Sequence, residues 1–111
     1  MPLSHIQQLK KDDHAACPVA KVADLVGDTW SLLIVRDLLK TRKRFGALAE
    51  SLVGISTRTL TDKLRKLEQE GIVKRTVFHE KPLRVEYTLT KKGDALCGVI
   101  DAMRAFGEEY G

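Results

Sequence analysis

The chain has 111 residues, enough for one domain and too short for two. Its 43% hydrophobic and 31% charged residues exclude a disordered tail-like chain, and 5% aromatic residues leave a core of mainly Leu, Ile, Val and Ala. The net charge of +4 is unevenly spread: residues 40–92 carry fourteen Lys/Arg against six Asp/Glu, and the remainder five against nine. A basic block between acidic ends is the electrostatic footprint of a nucleic-acid binder, although a solvated mixed-charge surface has the same composition.

In chain order, residues 1–14 are polar and aperiodic and read as a flexible N-terminal arm. They lack the basic head and apolar stretch of a signal peptide, and no apolar run approaches the roughly 20 residues of a membrane span, so a cytoplasmic protein is expected. The ordered domain is expected over 15–111. Cys17-Pro18 opens a first helix, carried by Val19, Val22, Ala23 and Val26 and stopped at Gly27. Asp28 or Thr29 caps a second, with Trp30, Leu33, Ile34 and Leu38 on its apolar stripe. A short third helix from about Arg44 to Ser51 turns Phe45, Leu48 and Leu52 inward. Val53-Gly54-Ile55-Ser56 is a turn ending in an N-cap, and the fourth helix, Thr57 to Glu70, places Leu60, Leu64 and Leu67 on one stripe before Gly71. The period then changes from 3.6 to 2: residues 72–78 and 84–89 are strands joined across His79-Glu80-Lys81-Pro82-Leu83. Thr90 is expected to cap a single last helix, with Leu96, Val99, Ile100, Met103 and Phe106 on its apolar side.

This order defines a mainly α fold with a small β-hairpin wing, a winged helix-turn-helix. A helix enters the major groove when its outer face is polar and its inner face packs on a supporting helix. With the three leucines inward, Ser56, Thr57, Arg58, Thr59, Thr61, Asp62 and Arg65 become candidate DNA contacts. Lys74, Arg75, Lys81 and Arg84 would form a basic cluster on the hairpin, and Arg42, Lys43 and Arg44 a basic edge before the third helix. An ordinary amphipathic helix shows such a pattern by chance, so the hairpin and its charges carry much of the argument.

The residues resemble the HxlR-type bacterial transcription regulators. The resemblance rests on Cys17-Pro18-Val19, Gly27-Asp28-Thr29-Trp30-Ser31-Leu32-Leu33-Ile34 and Arg44-Phe45, then on Gly54-Ile55-Ser56-Thr57-Arg58-Thr59-Leu60-Thr61. It continues through Leu64-Arg65-Lys66-Leu67-Glu68, Gly71-Ile72-Val73-Lys74-Arg75 and Pro82 to Gly93, in one order over nearly the whole ordered chain. It implies a double-stranded DNA operator as partner and wings reaching the adjacent minor groove. It also implies a homodimer through the terminal helices, where Val19, Val22, Val99, Ile100, Met103 and Phe106 are the candidate interface. Repression is the expected outcome for a small dimer without an activation domain.

Two cysteines in a cytoplasmic chain argue against a standing disulfide. Cys17 opens a helix with Lys21 one turn later, and both features favour a thiolate. The resemblance places it where oxidant- and electrophile-sensing members of the family carry their cysteine, so Cys17 is a redox-sensing candidate; a packed, inert thiol is the alternative. Cys97 is expected in the core or the dimer interface. His14 and Cys17, with His5 nearby, do not make a metal site on their own. Trp30 reads as core. No nucleophile elbow, phosphate loop or paired acidic motif occurs, so neither enzyme activity nor a cofactor is expected. A regulator answering a non-covalent small molecule or a metal remains the alternative.

Overall fold

The computed structural model describes residues 17–111; the arm expected over 1–14 and the domain boundary at 15 lie outside the described residues. Helix α1 (Pro18–Val26) starts on a proline, whose fixed φ suits a first turn. Helix α2 (Thr29–Lys40) is capped by Asp28, whose carboxylate accepts the Ser31 N–H at 3.0 Å. Helix α3 (Phe45–Ser51) follows Arg44, and α4 (Thr57–Gln69) follows Ser56. Strands β1 (Val73–Phe78) and β2 (Arg84–Leu89) form an antiparallel hairpin; α5 (Lys91–Asp94) and α6 (Cys97–Tyr110) close the chain.

One core joins these elements. Ile34, Val35 and Leu38 of α2 meet Leu48 and Leu52, the three leucines of α4, Val73 of β1 and Tyr87 of β2. Trp30 packs against this core but is only half-buried. Each fully buried aliphatic side chain contributes about 1.5–3 kcal/mol. The one buried carboxylate among the described residues, Asp37, is paired on both oxygens: Ser51 Oγ donates to one at 2.5 Å, and the Arg36 guanidinium lies 2.9 Å from the other. The Ser51 bond fastens the end of α3 to α2.

The register sets which side chains share a face. Val73, Arg75 and Val77 lie opposite Leu89, Tyr87 and Val85 on the inner face, whereas Lys74, Thr76 and Phe78 lie opposite Thr88, Glu86 and Arg84 on the outer one. Lys43 adds a short third edge: its N–H donates to the Tyr87 carbonyl at 3.1 Å, and Tyr87 N–H donates back at 2.8 Å.

The expected last helix is two helices. Thr90 caps α5, accepting from Gly93 N–H, while its own N–H donates to the Ile72 carbonyl at 3.0 Å. Gly93 is pressed against that carbonyl so closely that a Cβ would lie 2.2 Å from Ile72 O. The chain then tightens, with Leu96 N–H donating to Gly93 O, and α6 starts at Cys97. Two further expectations change with it. Ile100, expected at the dimer interface, is 8% exposed and belongs to this protomer's own core. Cys97, expected in the core or interface, is exposed on the first turn of α6, which removes the core reading.

Candidate nucleic-acid interface

Leu60, Leu64 and Leu67 pin one face of α4 into the core, and Ser56 fixes its start. Ser56 Oγ accepts the Thr59 N–H at 3.0 Å and donates to Thr59 Oγ1 at 2.9 Å, so the Ser56 hydroxyl is spent on the cap. On the opposite face Thr57, Arg58, Asp62 and Arg65 are exposed, with Thr61 half-buried at the flank. The two lysines of α4 serve the fold. Lys66 Nζ donates to the Asp24 carbonyl at 2.9 Å, and Lys63 Nζ lies 3.3 Å from the Asp28 carboxylate. Partial burial works to raise the Asp28 pKa, but the hydrogen bonds to Ser31 and the Lys63 ammonium outweigh it and hold the carboxyl below its ordinary value.

The hairpin places its cations differently from the expected cluster. Lys74 and Lys81 are exposed, but Arg75 projects from the opposite face to Lys74, toward α4. Arg84 is engaged within the hairpin, 3.5 Å from Glu80 and 3.4 Å from Glu86, with its guanidinium 4.1 Å above the Phe78 ring. Glu86 also holds Arg42 at 3.2 Å. Arg84 is therefore not a free phosphate ligand, and Arg42 must trade a carboxylate for a phosphate. Lys43 contributes its backbone to the sheet, and Arg44 is exposed at the start of α3. Glu86 was missed in the sequence; the strand alternation alone puts it on the face of Arg84, which is the signal that could have found it.

At the other end, Pro18, Val19 and Val22 of α1 with Val99 and Met103 of α6 line an open apolar groove of about 500 Å³. Met103 is 48% exposed and Phe106 67%, and the Phe106 and Tyr110 rings meet in a tilted contact, centroids 5.0 Å apart, along the same helix. Cys17 sits at the N-cap of α1, half-buried, its side chain making no cap hydrogen bond, and both Cys17 and Cys97 are free thiols. Cys97 Sγ lies 3.7 Å from an Asp101 carboxylate oxygen. Among the described residues no three His, Cys, Asp or Glu side chains gather to hold a metal; His5 and His14 lie outside them. No helix of the described residues is long and apolar enough to cross a membrane.

A supporting helix, a glycine turn, a polar-faced helix and a hairpin beside it make a winged helix-turn-helix, the architecture of a transcription regulator. The chain belongs to the HxlR-like helix-turn-helix family, whose profile matches residues 25–111. It is 45% identical over 94 residues to an HTH-type transcriptional regulator of Synechocystis, covering 85% of this chain and 70% of that one. It is 40% identical to the HTH-type transcriptional regulator YodB of Bacillus subtilis, covering 85% of each chain. Among solved structures, the redox regulator HypR in its oxidized form superposes with a TM-score of 0.81 at 36% identity, covering 86% of this chain and 98% of that one.

Proposed function

We propose that the protein binds an operator in duplex DNA as a two-fold homodimer and represses transcription in the cytoplasm, with residues 15–111 as the DNA-binding and dimerisation domain. The observation that carries this reading is the outer face of α4: Thr57, Arg58 and Asp62 stand free on a helix capped at Ser56 and anchored by three buried leucines. Such a helix fits a major groove about 12 Å wide, with its first turn at the base edges. Thr61 and Arg65 flank that face. Lys74 and Lys81 supply phosphate contacts from the hairpin, joined by Arg44 and, after exchange, Arg42. The apolar groove and the uncovered Met103, Phe106 and Tyr110 support a two-fold contact between α1 and α6 of two subunits. Fluorescence anisotropy tests this with a duplex from the promoter beside the gene and a scrambled duplex. The expected preference is at least about a thousandfold, and equal affinity for both overturns the reading.

Cys17 is the proposed point of control. HypR is described as a redox regulator and has been solved in oxidized and reduced forms, and YodB has been solved after diamide treatment. In this chain Cys17 opens α1, the helix that lines the groove and is tied to α4 through Lys66. Two such thiols form a disulfide by passing two electrons and two protons to an oxidant such as diamide. A quinone instead adds to one thiolate by a new S–C bond and takes up the proton. Operator binding by the wild type is expected to change on diamide and recover with reductant, and Cys17→Ser is expected not to respond. Equal responses, or none, make Cys17 structural and leave a non-covalent effector.

A further inference from the structure

A second cavity, of about 490 Å³, lies between the flank of α4 and the inner face of the hairpin and shares no residue with the apolar groove. Its size is that of a small-molecule site. Phe45 and Leu64 give it an apolar floor, Arg65 and Glu68 reach it from α4, and Arg75 and Tyr87 from the hairpin. Arg75 and Tyr87 are directly opposed in the strand register, so the guanidinium and the phenol share one wall. Tyr87 is held on both backbone bonds by Lys43 and its ring is mostly buried, while its hydroxyl, free of any hydrogen bond within the described residues, stays open to solvent. Arg36, Arg42, Arg84 and Arg104 are ion-paired, whereas Arg44, Arg58, Arg65 and Arg75 have no carboxylate within ion-pair distance among the described residues, and of these four Arg65 and Arg75 line the cavity.

We propose that this cavity binds a small organic anion. Its carboxylate or phosphate is held by the Arg65 and Arg75 guanidinium groups and the Tyr87 hydroxyl, and its apolar body rests on Phe45 and Leu64. Planar guanidinium groups bind such oxyanions in pairs of parallel hydrogen bonds, and two of them beside the Glu68 carboxylate leave one net positive charge, the complement of a monoanion. Glu68 at the edge repels a second negative group and accepts a hydrogen bond from a hydroxyl or amine, which favours a compact monoanion. Only the consequence for DNA rests on the proposed function: an anion seated on this flank of α4 adds negative charge beside the helix meant for the groove. A DNA backbone phosphate offers the same oxyanion chemistry, so the experiment separates the two sources.

The full-length protein, free of DNA, is titrated with benzoate, phenyl phosphate and neutral benzamide while backbone and arginine side-chain resonances are followed by NMR. Saturable shifts are expected for both anions at Thr61, Arg65, Arg75 and Tyr87, and none for benzamide. Tyr87→Phe keeps the ring in the core and is expected to weaken anion binding about tenfold, the effect of one charge-assisted hydrogen bond. Arg75→Gln, at an exposed strand position, is expected to abolish it without lowering the unfolding temperature. Absence of saturable local shifts, or unchanged binding in both variants, overturns the proposal. It is also overturned if the free anions fail to bind while Tyr87→Phe weakens operator and random duplex equally, because the seat then belongs to a DNA phosphate. Since binding is read without DNA, a failed operator assay leaves this result standing.

Discussion

Helices α4 and α6 have nearly equal lengths and similar amphipathic patterns, but the fold uses them in opposite ways. The apolar stripe of α4 is spent entirely inside the protomer, which frees its polar side for a ligand. In α6 only Ile100 is spent internally, and every residue from Asp101 onward is exposed, including the apolar Met103, Phe106 and Tyr110. One helix is covered within the protomer and the other is left largely bare. An apolar stripe in a sequence marks a surface that must be covered, but it does not say by which chain.

The largest expected effect falls on the completed helix. Leu64→Ala should destabilise the protomer by about 2–5 kcal/mol through lost burial and a residual cavity, measured by denaturant unfolding; a loss well under 1 kcal/mol would mean that α4 is not anchored as described. Met103→Lys should leave the secondary structure intact and shift the light-scattering mass from dimer to monomer, with weakened operator binding. An unchanged dimer would place the subunit contact away from α6. Arg58→Ala should cost roughly 1–3 kcal/mol on the operator and much less on random duplex. Equal losses on both would assign Arg58 to the backbone.

The smallest effect concerns the cap of α2, which Lys63 of α4 touches. Asp28→Ala should cost about 1 kcal/mol at neutral pH. Because the folded state holds the Asp28 carboxyl below its ordinary value, its contribution is complete above the unfolded pKa of about 3.9 and is lost as pH falls through the lower folded value. Thermal unfolding followed downward from pH 5 should therefore fall less steeply in Asp28→Asn than in the wild type. Parallel curves would remove Asp28 from the acid response.

What the sequence disclosed was local. The caps at Asp28 and Ser56, the left-handed glycine at Gly71 with φ of 75° and the strand alternation each depend on residues a few positions apart. What it withheld depends on distant approach. The break after α5 arises because Gly93 meets the Ile72 carbonyl, a contact 21 residues away that no helical period contains. Ile100 and Met103 lie on the same stripe, and only the position of α2 decides which is covered. The pairing of Glu86 with both Arg42 and Arg84, and the meeting of Arg75 with Tyr87, required the hairpin register and the docking of residue 43 onto it.

The Thr90–Gly93 junction has a mechanical meaning. Thr90 Oγ1 donates to the Gly71 carbonyl, Lys92 Nζ donates to the Glu70 carbonyl at 2.8 Å, and Gly93 bears on Ile72. The turn that leaves α4 and the short α5 that leads into α6 are thus riveted together through Thr90, Lys92 and Gly93. A tilt of α6 against its twofold mate would turn α4 as the short arm of a lever. In an assembled dimer the spacing of the two reading heads would then be set at the subunit seam, far from any base pair.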